Sequence, residues 1–311
     1  MIVLTGPPSE WEVGVETAVT VGVFDGVHVG HRRVISDLIG VAGSSGLSPT
    51  MVTFDPHPLA ILAPERAPKM LTSITQRLDQ FRQLGIEIAG VLDFPDIREM
   101  FPGQFCEEVL VRAVRARRVV VGEDFRFGRN REGDSALLAS EGARLGFEVS
   151  VVDMFGYLDG VVSSTRIRQL VAAGQVEEAA ALLGRPYELA GQVIEGDKRG
   201  HTIGFPTANI AVPIDRLVPG RGVYAGIATV GEEAYHAAIN VGTRPTFDGQ
   251  GITVEVHLLD FAGDLYGRSL AASFQARLRG ELRFDGIDGL TAQIRRDVER
   301  AREVLNLLGS H

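Results

Sequence analysis

The stretch TVGVFDGVHVGH, residues 20–31, constrains this chain more than any other. Residues 18–24 are apolar and β-branched enough for a buried strand, while Val34, Ile35, Leu38 and Ile39 recur at helical spacing beyond His31. A strand must therefore end and a helix begin inside one short turn. Gly22, Gly26 and Gly30 clear side chains from that turn. Asp25, His28 and His31 bring polar groups to a helix N-terminus whose free N–H groups already attract anions. The pattern predicts a phosphate site. Two histidines three apart also fit a solvated helix start or a pair of metal ligands, although zinc needs three or four ligands and no Cys stands near the pair in sequence.

Around this turn, strand and helix patterns alternate through the first half of the chain. Strand-like runs cover residues 18–24, 48–54, 86–94, 118–122 and 147–154. Helices are expected after a Thr72 or Ser73 cap, from Pro102, and over 135–145. Five strands with intervening helices predict an α/β unit with a doubly wound parallel sheet. The segments GVFDGVHVGH, FDPHP, GEDFRFGRN and SSTRIR all follow strand carboxyl ends, where open α/β sheets bind ligands. In SSTRIR, Ser163, Ser164 and Thr165 can cap a helix over 166–172, and Arg168 adds a fork of donors. Phe125 and Phe127 beside glycines predict a loop of fixed shape.

The texture changes after the helical run VEEAAALLG, where Arg185 and Pro186 break the pattern. From Tyr187 on, GQVIEG, FPTANIAV, GVYAGIATV, EAYHAAINVG, TVEVHLLDF and SLAASFQARLR predict a small antiparallel β-barrel. A terminal helix over 290–308 follows, with Arg295, Arg296, Glu299, Arg300 and Glu303 on its solvent face. The expected domains are thus 1–185 and 186–311. A chain of 311 residues, 45% hydrophobic, is long enough for two cores. Its net charge of −9 argues against a surface that neutralises nucleic acid. The single cysteine, Cys106 in FCEEVL, reads as an ordinary helix position. No signal or membrane-spanning run is evident, so the expectation is a cytoplasmic protein with no membrane partner. Oligomeric state is not legible.

The barrel carries its own polar pattern. GDKRGHTIGFPTANI, residues 196–210, joins a basic loop of Lys198, Arg199 and Gly200 to Thr207 and Asn209, two oxygen ligands expected on one strand face. Such ligands suit Mg²⁺, which completes its shell from phosphates and water. In TVEVHLLDF, Val254, Val256 and Leu258 should face the core, with Glu255 and His257 opposite.

GxFDGxHxGH together with SSTxIR resembles the nucleotidyltransferase superfamily as found in prokaryotic FAD synthetases. PTAN, with GVYAG, NVGTRPTF and LRGELRF, is similar to riboflavin kinase. The chain thus resembles the bifunctional riboflavin kinase and FMN adenylyltransferase family. The resemblance implies two reactions, riboflavin to FMN and FMN to FAD, each using ATP. It implies charge stabilisation by His28, His31 and Arg168, and ATP contacts from Gly22, Phe24, Asp25, Gly26, Gly30, Ser164 and Thr165. The flavin side of the sites falls by resemblance to Asp55, His57, Phe125, Phe127, Asn130 and Arg279. The kinase nucleotide and its Mg²⁺ fall to Lys198, Arg199, Gly200, Thr207 and Asn209, with Glu255 as general base. One departure is His201, where the family commonly has Arg after the glycine. The alternative is an adenylyltransferase for another phosphorylated acceptor, such as a pantetheine or nicotinate phosphate, with the barrel as a non-catalytic flavin-binding module. An aminoacyl-tRNA synthetase reading of HVGH conflicts with the acidic balance.

Overall fold

A computed structural model describes residues 1–153, 156, 160–195, 204–246 and 249–308. The chain divides into two compact units, Met1–Ser164 and Thr165–His311.

The first unit is a six-stranded, wholly parallel sheet. Its strands are β1 (Ile2–Leu4), β2 (Thr17–Val21), β3 (Ser48–Phe54), β4 (Ile88–Leu92), β5 (Ala116–Gly122) and β6 (Glu148–Val152), in the spatial order β1-β4-β3-β2-β5-β6. The doubly wound expectation holds, with one strand more than the five read from sequence. Residues 2–4 are too short and too exposed to show a period, and Ile88–Leu92 recruits them at the sheet edge. The first strand ends at Val21, three residues earlier than expected, because Gly22 to Phe24 already belong to the turn.

The chain winds from β2 through β3 to β4 on one side and through β5 to β6 on the other, so the order reverses between β2 and β5. That reversal opens a crevice at the strand carboxyl ends. Both faces of the sheet are covered. On one face α1 (Val29–Ser45) and α3 (Ile74–Gln83) bury Ile35, Leu38 and Phe81 against Ala18, Met51 and Val120. On the other, Phe105, Leu110 and Leu138 pack on Val19, Val52 and Val119. Short helices α2 (Pro58–Leu62) and α4 (Phe94–Ile97) follow the FDPHP segment and β4. The helix α5 (Pro102–Phe105) widens into π-type turns over Cys106–Ala113, where the Val114 N–H reaches the Val109 carbonyl. Helix α6 (Ser135–Leu145) is capped by Asp134, whose Oδ1 accepts the Leu137 N–H at 2.9 Å.

The second unit is a closed antiparallel barrel. Its strands are β7 (Tyr187–Ile194), β8 (Ala208–Ala211), β9 (Gly222–Val230), β10 (Glu233–Thr246), β11 (Gly249–Leu258) and β12 (Ser269–Arg279), ordered β10-β11-β8-β7-β12-β9. Tyr187, Tyr224, Ile239, Val254, Val256 and Phe274 fill it. The terminal helix α9 (Ile287–Leu308) lays Ala301 and Leu305 over Ala225, Ile227 and Ala238. Its five charged residues named above are exposed, as expected.

Two further helices, α7 (Ser164–Ala173) and α8 (Val176–Leu183), group with the barrel. The Glu177 carboxylate accepts the Arg277 N–H at 2.8 Å, and the Val171 carbonyl accepts the Gly220 N–H at 3.0 Å. A fragment starting at Thr165 should therefore unfold at a higher temperature than one starting at Pro186. Equal midpoints in thermal melts would show that α7 and α8 add nothing.

Cys106 is fully buried, and burial, followed by the charge of Glu141, pushes its thiol up to about 12 from 9.0. A group raised on folding favours the fold below its unfolded value, and that contribution drains as pH climbs from 9 toward 12. At pH 8 a thiol-specific reagent should find no reactive cysteine in the native chain and one after denaturation.

Candidate active sites

In the first unit the turn after β2 is strained. Phe24 and Val27 hold left-handed φ angles of 51° and 40°. Each such residue costs on the order of 1–3 kcal/mol, and Val, being β-branched, is a poor occupant of that region. Gly26, at φ 83°, lies between them.

What holds the turn is the Asp25 carboxylate, which is 2% exposed. Its oxygens accept the Leu71 N–H at 3.0 and 3.1 Å, the Thr72 N–H at 3.0 Å and the Thr72 hydroxyl at 3.0 Å. Thr72 Oγ1 in turn accepts the Gly26 N–H at 2.9 Å. Of the two residues expected as a cap for α3, Ser73 takes that role, in a capping box with Gln76. Thr72 is left for the clamp. Asp25 therefore reaches its own fold rather than facing outward.

Arg77, fully buried, ties the same turn to the next one. Its guanidinium donates to the carbonyls of Val23 (2.8 Å) and Phe54 (3.0 Å), to Thr53 Oγ1 (3.1 Å) and to Asp55 Oδ1 (3.2 Å). The ends of β2 and β3 are thus fixed to each other. Sequence reading passed over Arg77, although it sits between Ile74, Leu78 and Phe81 on the apolar stripe of α3, where a lone charge signals a buried role.

His28 caps α1. Its Nδ1 accepts the His31 N–H at 3.2 Å, which places the ring proton on Nε2. The His28 and His31 rings stack at 3.5 Å, and Phe24 meets His31 edge-on at 5.1 Å. A Cβ on Gly30 would come within 3.2 Å of His28 Nδ1, and one on Gly22 within 3.1 Å of the Phe24 ring. Ser164 Oγ donates to the Asp25 carbonyl at 2.9 Å, bringing the start of α7 to this turn. Two imidazoles and the first N–H groups of α1 thus gather at the carboxyl end of β2, a donor set suited to phosphate oxygens, while the Ser164 hydroxyl spends its proton on the Asp25 carbonyl. Thr165 is exposed and Arg168 half-buried on α7, in the second unit.

The neighbouring loops divide between exposed and buried groups. His57 caps α2, its Nδ1 accepting the Leu59 N–H at 3.0 Å. Phe125 and Phe127 stack at 5.4 Å, but Phe127 also packs on Phe105 in the core, so only Phe125 offers part of its surface. Asn130 is exposed, left-handed at φ 54°, and donates to Glu132 at 3.2 Å.

In the barrel, strand register makes a polar row. Glu255 stands opposite Asn209 of β8 on one side and Asn240 of β10 on the other. The expected alternation holds: Val254, Val256 and Leu258 are buried, Glu255 and His257 half-exposed. Thr207 stands one residue before β8, so strand alternation does not set its face as expected. The segment is instead held by His257, whose Nδ1 lies 2.8 Å from the Pro206 carbonyl and whose ring meets Phe205 edge-on. Arg279 grips Asp297 of α9 through Nε and Nη2 at 2.6–3.1 Å, with a further bond to the Gly280 carbonyl. Its guanidinium is committed to holding that helix. Lys198, Arg199, Gly200 and His201 lie outside the described residues.

Comparison with known proteins decides the family. A family model described as FAD synthetase matches residues 12–166, and one described as riboflavin kinase matches 183–305. The bifunctional riboflavin kinase/FMN adenylyltransferase of Listeria monocytogenes is 40% identical over 296 residues, covering 94% of this chain and 93% of that protein. Its namesake from Escherichia coli strain K12 is 40% identical over 291 residues, with 93% and 92% covered. The chain belongs to the bifunctional riboflavin kinase/FMN adenylyltransferase family. A solved structure from Streptococcus pneumoniae, described as a macrolide-efflux protein, is similar over 97% of this chain and 99% of its own, with 30% identity and a TM-score of 0.90. Among the described residues of the present chain no helix is long and apolar enough to cross a membrane.

Two substitutions follow from the adenylyltransferase-like turn. His28→Asn keeps a capping oxygen for α1 but removes the Nε2 proton. FAD formation should fall on the order of 10²-fold while FMN formation persists, as assays from riboflavin and from supplied FMN would show. Arg77→Met strands the Val23 and Phe54 carbonyls and should cost about 3 kcal/mol in urea unfolding of the first unit.

Proposed function

We propose that this family member makes FMN in its barrel and FAD at the β2–α1 turn, consuming ATP at each site. The observation that carries the reading is that each family match falls on its own fold, and each fold presents its own polar cluster. Residues 1–185 and 186–311 are assigned to adenylyl transfer and to the kinase, with α7 and α8 serving the barrel's packing.

At the turn, FMN already brings a nucleophilic phosphate. The site has then to align it with the α-phosphorus of ATP and to meet charge that develops on the departing pyrophosphate. His28 Nε2–H, the His31 imidazole and the N–H groups of α1 supply that charge stabilisation, with Thr165 and Arg168 of α7; Ser164 serves ATP by fixing the turn through the Asp25 carbonyl. Gly22, Gly26 and Gly30 admit the nucleotide's phosphates close to the backbone, and Phe24 backs His31. Asp25 acts on ATP only indirectly, by clamping the turn. Asp55, His57, Phe125 and Asn130 border the flavin, Phe125 offering its ring face; Phe127 supports that ring from the core.

In the barrel the nucleophile is a riboflavin hydroxyl, which needs a proton acceptor. Glu255 takes this role. Thr207 and Asn209 form an oxygen-only donor set next to it, which fits Mg²⁺ better than a softer ion. The bound ion would supply neutralisation of the ATP phosphates. Lys198, Arg199 and Gly200 complete the nucleotide loop in this reading. Arg279 contributes to the flavin side by fixing α9 on β12.

Chromatography of flavins after incubation with riboflavin, ATP and Mg²⁺ tests the whole reading: FMN should appear first and FAD after it. Only FAD from supplied FMN would favour the alternative of a non-catalytic barrel. Glu255→Gln should lower FMN production by about 10²- to 10⁴-fold, the usual worth of a general base, and spare FAD production from FMN. A variant phosphorylating riboflavin at the parent rate would exclude the base role.

A further inference from the structure

The geometry points to Asn240 as a positioning residue for the kinase step, holding the Glu255 carboxylate in the orientation from which it accepts the riboflavin proton. The inference rests on the reading of Glu255 given above.

Asn240 and Glu255 are directly paired across β10 and β11, so their side chains leave the same face of the barrel. The Asn240 amide Nδ2 donates to Glu255 Oε2 at 3.5 Å, and both side chains are half-buried. The length is at the outer limit for such a bond, as is common for catalytic contacts before substrate is bound. A carboxylate on a strand has two free torsions near its end, and nothing in the strand fixes where its oxygens point. An amide donor on the adjacent strand does.

The surroundings of Asn240 give this donor a specific task. A Cβ on Gly242 would lie 3.5 Å from Asn240 Nδ2, 3.6 Å from Glu281 Oε1 and 3.8 Å from Thr253 Oγ1. Amide, second carboxylate and hydroxyl therefore converge over one bare stretch of backbone. Glu281 is in turn approached by Arg221 at 3.6 Å. A second carboxylate, Glu281, thus approaches the same bare stretch as the Asn240 amide, whose nitrogen is the donor to Glu255 Oε2 and selects one orientation of Glu255. Asn209, on the other side of Glu255 in the same row, is assigned to the metal and nucleotide, which leaves Asn240 as the partner dedicated to the base.

Asn240→Asp preserves shape but removes both N–H donors; Asn240→Ala removes the side chain. Both should lower kcat for riboflavin phosphorylation by about 10- to 100-fold, the usual penalty for misplacing a reacting group, with KM for ATP nearly unchanged. An unchanged thermal melt of the barrel, together with the unchanged KM for ATP, reports that the second unit is folded. Placed in a Glu255→Gln background, Asn240→Ala should add no further loss, since residues acting as a unit are non-additive. Full parent kcat in both single variants would overturn the assignment. So would a loss that multiplies undiminished onto Glu255→Gln, which would mark Asn240 as acting independently. If Glu255→Gln itself keeps the parent rate, the base assignment falls first and this one with it.

Discussion

The adenylyltransferase-like site is organised by the hydrogen bonds to one buried carboxylate, that of Asp25. Asp25, by gripping Leu71 and Thr72, holds the left-handed backbone of Phe24 and Val27 in place. Yet that backbone is what swings the chain from β2 to the first N–H groups of α1 within so few residues. Strain is stored where the surrounding contacts over-determine the conformation. Arg77 extends the same logic, binding the β2 turn to the β3 turn through their carbonyls. The helix dipole, the helix-capping His28 and the stacked His31 are then fixed in space before any ligand arrives, as electrostatic preorganisation requires.

Much of this was legible in the sequence. The alternation of β-branched runs with helical stripes declared a parallel sheet, and close-spaced strands after Pro186 declared a barrel. Glycines, histidines and hydroxyl residues marked the loops that matter. What escaped was whatever depends on pairing between distant segments. Asn240 looks like any polar strand residue until register sets it against Glu255, 15 positions away. By resemblance Asp25 and Arg279 are expected at ATP and flavin, and the structure adds partners within the fold that the sequence does not announce. Their partners, Leu71 and Thr72 in one case and Asp297 in the other, carry no local signal. β1 was missed because three residues have no period; tertiary pairing alone makes them a strand.

The two units meet different chemical demands with different parts. A phosphate nucleophile asks chiefly for neutralisation and alignment, and the first unit offers a helix N-terminus with imidazoles. A hydroxyl nucleophile asks also for a base, and the barrel offers a carboxylate flanked by two amides in strand register. Each fold supplies what it makes well: parallel sheets end in helix N-termini, while antiparallel strands set side chains into rows.

The closure of the barrel has a consequence for how the chain is made. β12 is the strand that seals it, pairing with β7 on one side and β9 on the other, and α9 then covers the seam. During synthesis, which runs from the N-terminus, β7 must wait with an unpaired edge for some 80 residues of chain before its second neighbour emerges. The first unit waits as well: β2 ends at Val21 with β3 on one side, and its other neighbour, β5, begins only at Ala116. All six strands of the sheet are nevertheless synthesised by Val152, before the barrel's first begins at Tyr187, so the parallel sheet can pair its edges while those of the barrel are still open to other chains.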